Sequence, residues 1–393
     1  MIKLLKPISF LLCFFCFVPF LYLLPIPSDT QPYAFIMACV FCVVVRKVKI
    51  PKIFYNIIWI YILIVVGALV TIILAKPSEK ILVLRKTFNY VSLFVVSTAV
   101  YNMLIANNGI NEFWEKLFIS IWFLVGAIQA YIYPNFMMQF VSNARTGGAR
   151  GVIGLASEPS FYGYMMIFFF LIASQFKKSK ILFQAMCIIQ IVLFAKSAVS
   201  LIYLAILFAC YIIKQMVLIY KQKPEKVIGM IFISMIVVFF VLKFGDDLIS
   251  VFGNTRMIVL WKNLISNLDS ITSIEQLYQL DYSVATRVNS VATAIREFFA
   301  YGGIPHGFIY EDFSFRVESG YGTLLYEMGI LGVIFIYIIS KILYKGFKNN
   351  GPIFVCISAM MFSSVQFGNP MLSFILGYGM YNIHLNSQSK RVK

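Results

Sequence analysis

Long apolar stretches separated by short polar segments run along the chain from its first residues to its last. A helix that crosses a bilayer needs about 20 mainly apolar residues. By that measure the pattern predicts transmembrane helices at residues 5–24, 32–45, 53–75, 83–105, 116–134, 160–175, 181–195, 198–219, 227–243, 320–341, 352–368 and 370–385. Several segments are short, so we expect about twelve spans, with a range of ten to twelve. The fold class predicted is an all-α polytopic membrane protein, with residues 1–393 forming a single membrane domain.

Composition strengthens this prediction, because 61% of the residues are hydrophobic and only 12% are charged. Soluble domains carry about 25% charged residues. A formal net charge of +17 would suggest nucleic acid as a partner of a soluble protein. Loop lysines that fix membrane orientation explain the charge better, and no nucleic-acid partner is expected. All seven cysteines lie in apolar stretches, which is typical of packing residues rather than of redox or metal sites.

The distribution of lysine predicts how the chain is oriented in the membrane. With the N-terminus in the cytoplasm, the predicted cytoplasmic segments contain Arg46, Lys47, Lys49, Lys52, Lys177, Lys178, Lys180, Lys221, Lys223, Lys226, Lys341, Lys345, Lys348, Lys390, Arg391 and Lys393. Basic residues are enriched in the cytoplasmic loops of membrane proteins. Both termini are therefore predicted to be cytoplasmic.

Arginine follows a different distribution from lysine. Only Arg46 and Arg391 fall in predicted cytoplasmic segments, and the others lie outside or near the outer membrane face: Arg85, Arg145, Arg150, Arg256, Arg287, Arg296 and Arg316. The planar guanidinium binds phosphate or carboxylate through two parallel hydrogen bonds. The outer arginines therefore indicate an anionic ligand, or else a set of structural ion pairs.

Two segments on the predicted outer side are long enough to carry a site. The first covers residues 135–160, and the second covers residues 244–319. A connection as long as the second is typical of a folded, functional segment rather than a linker. We call residues 244–319 the lid.

The shorter outer segment combines arginine, glycine and a carboxylate. Arg145 and Arg150 flank two glycines, and a glycine-rich turn lets backbone N–H groups approach an anion. Glu158 is followed by a proline that opens the next helix, and proline suits the first helical turn. A carboxylate at this positive helix end can serve as a general base. The alternative is a helix cap paired with an arginine.

The lid contains one clear helical pattern, which starts at Asp281 or Ser283 and runs to about Phe299. One face of that helix is predicted to pack on the membrane domain and consists of Val284, Val288, Val291, Ile295 and Phe298. Arg287 and Arg296 lie nine residues apart, so they point to opposite sides of a regular helix. They are not expected to bind one phosphate together from a straight helix.

A turn-rich return to the membrane follows and contains His306. No cluster of ligands accompanies this histidine, so no metal is expected. His306 is either incidental or an acid, a base or an acceptor-binding group. Arg316 and Glu318 then precede the next helix. The chain contains no P-loop, no GxSxG and no HExxH, so no cofactor is expected.

The segments "EPSFYG" and "ESGYGTLLYEMGILGVI", with the late outer loop, resemble the O-antigen and capsule polymerases of the Wzy type in the O-antigen ligase/polymerase superfamily. Arg296 and Gly307 also match an Arg-x10-Gly pattern of some members, whereas Arg145 and Arg150 do not. The related ligases have a His-Asn pair before the "GILG" helix. Glu318-Ser319 stands nearby here, which favours a polymerase.

The resemblance implies inverting glycosyl transfer at the periplasmic face of the bacterial inner membrane. Donor and acceptor are undecaprenyl-pyrophosphate-linked oligosaccharides, and neither nucleotide nor metal is needed. A chain-length regulator protein is a further expected partner, besides membrane lipid. The residues expected to bind pyrophosphate are Arg145, Arg150, Arg287, Arg296 and Arg316. The base expected is Glu158 or Glu318, with His306 in reserve.

Two other functions remain open. An O-antigen ligase that transfers glycan to lipid A core would share the fold. A flippase or transporter for lipid-linked sugars would also need many spans. That function predicts an internal repeat and charged residues at mid-membrane, and the sequence pattern indicates neither.

Overall fold

The computed structural model describes residues 2–24, 28–45, 47–55, 58–146, 151–222, 282–309, 319–347 and 350–389. Within these residues the chain forms α-helices joined by short connections. In chain order they are α1 (Ile2–Phe17), α2 (Tyr33–Val45), α3 (Lys52–Tyr55), α4 (Ile58–Leu74), α5 (Pro77–Ala106), α6 (Glu112–Tyr131), α7 (Pro159–Ala173), α8 (Lys180–Ile189), α9 (Ala198–Gln222), α10 (Tyr282–Ala300), α11 (Gly320–Met328), α12 (Ile330–Gly346), α13 (Gly351–Ser363) and α14 (Pro370–Ser389).

The all-α prediction is confirmed for the described residues. A helix lies at every predicted apolar segment except 227–243, which falls outside them. By length and composition, three helical segments of the described chain are able to cross a membrane: Glu79–Ala106, Glu112–Tyr131 and Ala198–Tyr220. Several further apolar helices are shorter. These helices are those of a membrane protein.

The centre and the surface of the bundle are both apolar. Phe374 of α14 packs against Phe17 of α1 at a ring distance of 4.7 Å, and α14 lies along α5. On the outside, Ile73 and Leu74 of α4 are 77% and 79% exposed. Burying such surface in hydrocarbon removes it from water, so the exposed apolar faces suit a bilayer.

Helix α7 connects two polar ends of the bundle. Glu158 lies directly before its first residue. Beyond its last turn, the backbone N–H of Lys177 donates to Glu112 at 2.9 Å. We call these two regions the Glu158 end and the Glu112 end. Arg85 of α5 donates to Ser28 at 3.3 Å, and Ser28 precedes the Asp29 that pairs with Arg145, so α5 also starts at the Glu158 end.

The predicted helix at 320–341 is interrupted at Gly329, which separates α11 from α12. Gly329 has φ +52°, and a Cβ there would lie 2.1 Å from the carbonyl oxygen of Gly303. The break frees backbone groups that would be costly in an apolar interior. Residues 301–309, which we call the return segment, satisfy them through three hydrogen bonds: His306 N–H to Tyr326 O, Gly307 N–H to Glu327 O and Ile330 N–H to Gly303 O.

Helix α10 forms where the lid sequence predicts it, but its buried face differs from the prediction. Ala285, Val291 and Ala294 are buried, whereas Val288 is 47% exposed. Small alanines allow the helix to approach its neighbours closely, so the buried stripe includes Ala285 and Ala294 with Val291 and leaves Val288 outside. Among lid residues, only 282–309 and 319 lie in the described part of the chain.

Gln129 of α6 fixes the course of the 135–160 segment. Its amide nitrogen donates to the carbonyl oxygens of Phe136 and Gly154, at 2.7 and 2.9 Å. Its amide oxygen accepts from the N–H of Gly154 at 2.7 Å. Gly154 has φ +60°, and a Cβ there would lie 3.2 Å from the rings of Trp122 and Tyr162. Both features require glycine at this position.

Gly154→Ala is therefore expected to destabilise the protein by about 1–2 kcal/mol from its left-handed backbone alone, plus a packing cost. Gly302→Ala is the matched control, because Gly302 has the same φ but no atom lies within 4 Å of the place that its Cβ would take. Thermal unfolding in detergent should give a lower Tm for Gly154→Ala than for Gly302→Ala. Equal Tm values would show that contacts with Trp122 and Tyr162 do not restrict this turn.

Candidate functional site

Arg145 joins two outer connections at the Glu158 end. Its Nη2 lies 2.5 Å from Asp29 Oδ2, and its Nε lies 3.9 Å from Glu158 Oε2. Asn143 donates to the other oxygen of Asp29 at 3.1 Å. The guanidinium therefore already contacts two carboxylates. This arrangement matches the ion-pair alternative of the sequence analysis more closely than an open anion site.

Glu158 occupies the position before α7 that the sequence predicts, with Pro159 in the first turn. Its side chain does not cap the helix N–H groups. Instead, the hydroxyl of Ser160 donates to Glu158 Oε1, while Oε2 faces Arg145. The carboxylate is 20% exposed and oriented by two neighbours. It combines limited access to solvent with a fixed direction, which a general base needs.

A group of buried hydroxyl and amide side chains lies close to Glu158. Asn369, directly before α14, donates to the hydroxyl of Tyr164 at 3.2 Å. The ring of Tyr164 lies 5.3 Å from that of Phe161, three residues after Glu158. Tyr203 of α9 contacts Ser363 and Ser364 at the end of α13. Tyr203 lies within electrostatic range of both Tyr164 and Arg287. We call Tyr164, Asn369, Tyr203, Ser363 and Ser364 the hydroxyl cluster.

Arg287 and Arg296 differ in their surroundings, as their spacing predicts. Arg287 is partly buried and lies on α10, which packs against α11 and α13. The side chain of Arg296 is 75% exposed, and its Nε lies 3.6 Å from Glu297 Oε1. Of the two arginines, Arg287 is therefore the one partly enclosed by the bundle.

His306 lies in the return segment between two tyrosines. Its ring stacks on Tyr326 at 4.3 Å and meets the ring of Tyr301 edge-on at 4.4 Å. Nε2 lies 4.0 Å from Glu297 Oε2, and neither ring nitrogen has a hydrogen-bond partner among the described residues. The aromatic packing gives His306 a structural role that the sequence did not predict.

The predicted site residues thus divide into two groups. Arg145 and Glu158 contact each other, whereas Arg287 lies partly buried on α10. Arg296 and His306 share Glu297. Arg150, Arg316 and Glu318 lie outside the described residues.

Asp29 is a site residue that the sequence reasoning missed. It lies in the connection between α1 and α2, 116 residues before its partner Arg145. One signal was present, because Asp29 is the sole acidic residue before Glu79. An isolated carboxylate among apolar helices needs a partner.

A second missed feature is an ion pair inside the bundle. Lys86 Nζ of α5 lies 2.9 Å from Glu327 Oε1 of α11, and the Glu327 side chain is fully buried. The hydroxyl of Tyr90 donates to the other carboxylate oxygen at 2.6 Å. Lys86 and Glu327 each interrupt an apolar stretch of the sequence, and this was the signal from which the pair could have been predicted. The absence of charge at mid-membrane stays a prediction, because Lys86 directly follows Arg85, which contacts Ser28 at the Glu158 end.

The described residues contain no group of three or more His, Cys, Asp or Glu side chains that could hold a metal ion. Comparisons of the chain with protein-family models, with curated proteins and with solved structures return no match.

Proposed function

We propose that this protein polymerises a bacterial polysaccharide by joining undecaprenyl-pyrophosphate-linked oligosaccharide units. One observation carries the proposal: an oriented carboxylate, Glu158, lies next to arginine and a hydroxyl cluster at one end of an apolar bundle. The substrate has matching parts, which are a polyprenyl tail, an anionic pyrophosphate and a sugar hydroxyl. The sequence resemblance to O-antigen polymerases supports the same reaction.

In this mechanism Glu158 is the general base. The acceptor hydroxyl donates to the carboxylate, which takes its proton as the oxygen attacks the anomeric carbon of the donor. The bond to undecaprenyl pyrophosphate breaks on the opposite face, so the configuration inverts. Ser160 and Arg145 hold the carboxylate in its direction, which lowers the entropic cost of the step.

Arg287 is the arginine that we assign to the leaving pyrophosphate. Its charge already acts on Tyr203 in the hydroxyl cluster. A guanidinium close to developing negative charge stabilises the transition state more than the ground state. Arg145, by contrast, contacts Asp29 and Glu158, so we assign it to orienting the base.

The topology belongs to the same proposal. About twelve spans, cytoplasmic termini and a bacterial inner membrane would place residues 135–160 and the lid on the periplasmic side. The two polar ends of the bundle support this arrangement. The backbone N–H groups of Lys49 and Lys177 donate to Asn102 and Glu112, so both lysines lie away from the Glu158 end.

A second candidate function is a flippase or transporter for lipid-linked sugars. The buried Lys86–Glu327 pair favours it, because ionisable groups inside membrane helices commonly mark transport pathways. A ligase acting on lipid A core remains the third possibility.

Two experiments together test the proposal. In one the gene is deleted in its host, and in the other purified lipid-linked repeat units are supplied to the protein in liposomes. A polymerase should elongate the units with no other acceptor present, and the deletion strain should carry single units in place of a ladder. Transfer only to lipid A core would indicate a ligase. Movement of the units between leaflets without elongation would indicate a flippase.

Arg287→Lys is expected to reduce elongation by about 10-fold or more, because lysine cannot form the planar two-point contact with phosphate. Arg296→Lys is the matched control on the same helix and should elongate at close to the wild-type rate, since Arg296 is exposed. The elongation rate is measured from the release of undecaprenyl pyrophosphate. If only Arg296→Lys is slow, the leaving group meets the exposed side of α10.

A further inference from the structure

Glu115 is a buried carboxyl group at the Glu112 end, far along α7 from the proposed base. It lies in the first turn of α6 and is 3% exposed. Among the described residues, no hydrogen-bond donor reaches its Oε2. The side chain borders a cavity of about 10 Å³. Other residues lining the cavity include Cys13, Met103, Asn107, Trp114 and Phe374.

Lys116, the basic residue next to Glu115 in the chain, forms its ion pair with a different carboxylate. Lys116 Nζ lies 2.9 Å from Glu112 Oε2, and the N–H of Lys177 donates to Glu112 Oε1. Glu112 is therefore paired, and the charges of Glu112 and Lys116 act on Glu115 in opposite directions, with burial the largest effect. A like charge and burial both disfavour an ionised carboxyl group.

Within the described part of the chain, the other helices around Glu115 supply no cation that could replace Lys116 as its partner. From α1 the titratable neighbour is Cys13, and from α14 it is Tyr378. Helix α5 contributes Met103 to the cavity, and the following turn contributes Asn107. The first N–H groups of α6 are turned to Asn111, whose side chain accepts from Phe113 N–H. The positive helix start favours a carboxylate only weakly against full burial.

We propose that Glu115 is a proton-binding site, a neutral carboxylic acid whose exchangeable proton is shared with one water molecule in the adjoining cavity. The cavity volume suits one water. Asn107 lines the same space and provides a polar partner for that water. The site does not depend on the proposed polymerase function, since it lies at the opposite end of the bundle.

Loss of this proton has a structural consequence. A carboxylate cannot stay in an apolar cavity without a counter-charge, so the junction of α1, α5 and α6 must admit water. The turn at 107–111 covers the cavity and is the part expected to open. High pH should therefore loosen this turn in the wild-type protein.

Labelling with dicyclohexylcarbodiimide tests the site in the full-length protein in liposomes. The carboxylic O–H adds across a C=N bond of this hydrophobic reagent, and an acyl shift gives a stable N-acylurea with no leaving group. Mass spectrometry of peptides should find most of the α6 label on Glu115 at neutral pH, falling severalfold as pH rises. Glu112, three residues away on the same helix, is the control and should react only with a water-soluble carbodiimide.

Three results would overturn the proposal: no label on Glu115 at neutral pH, labelling that does not fall at high pH, or protection of Glu115 by added Na⁺. The last would mean that the carboxylate binds a cation. Glu115→Gln provides an independent measurement, because glutamine imitates the neutral acid. Hydrogen exchange at 107–111, divided by the intrinsic amide exchange rate at the same pH, should rise at high pH in the wild type and stay constant in Glu115→Gln. An equal rise of this ratio in both proteins would also contradict the proposal.

Discussion

Glu158→Gln should stop elongation while leaving the protein folded. A general base contributes about 10²–10⁴-fold to a rate, so we expect a loss of at least about 100-fold. The amide keeps the shape of the side chain and can still accept from Ser160. It cannot take the proton of the acceptor hydroxyl. Elongation of lipid-linked units in liposomes measures the effect, and monodisperse size-exclusion profiles verify the fold.

Two control variants distinguish the loss of the base itself from changes in the residues around it. Glu112→Gln changes a carboxylate at the opposite end of the bundle and should elongate normally. Ser160→Ala removes the donor to Glu158 Oε1 and should slow elongation by about 10-fold or more, because a hydrogen bond to a charged group contributes about 1.5–3 kcal/mol. If Glu158→Gln is active while Glu318→Gln is not, the base is Glu318.

Glu327→Gln should destabilise the protein by about 3–5 kcal/mol, because it leaves Lys86 charged and buried beside a neutral amide. Lys86→Met combined with Glu327→Gln should recover part of this loss, since no buried charge remains. Unfolding in mixed detergent micelles measures both differences. A double-mutant cycle then gives the coupling between the two side chains.

The Lys116–Glu112 pair is a suitable comparison for the Lys86–Glu327 pair. It has the same 2.9 Å distance, but its side chains are 23% and 28% exposed. Helix pairs of this kind contribute about 0.3–0.5 kcal/mol. If Glu327→Gln costs no more than Glu112→Gln, water or lipid headgroups reach Lys86 and the pair is not a buried one.

The sequence predicts the helices of this protein well for a physical reason. Apolar length is a local property, and every predicted apolar stretch in the described residues contains a helix, although that at 320–341 is divided at Gly329. Helix α10 is predicted on similar grounds, with a start at 281 or 283 and an observed start at Tyr282. The position of Glu158 before α7 follows from a short-range signal, a carboxylate directly preceding proline.

The contacts of these residues could not be predicted in the same way. Asp29 and Arg145 are 116 residues apart, and Lys86 and Glu327 belong to helices on either side of the lid. Which helices become neighbours depends on the packing of the whole bundle. Tyr203 and Asn369 therefore gave no sign in the sequence that they would lie near Glu158, and Val288 gave none that it would face outward.

The helix break at Gly329 has a consequence for how the protein enters its membrane. Helix α11 has nine residues, too few to cross a bilayer, and its last carbonyls are satisfied by the return segment rather than by α12. Residues 303–307 precede α11 in the chain, so the ribosome makes the groups that satisfy these carbonyls before it makes α11 itself. The partners of the helix break are therefore present as soon as α11 is complete.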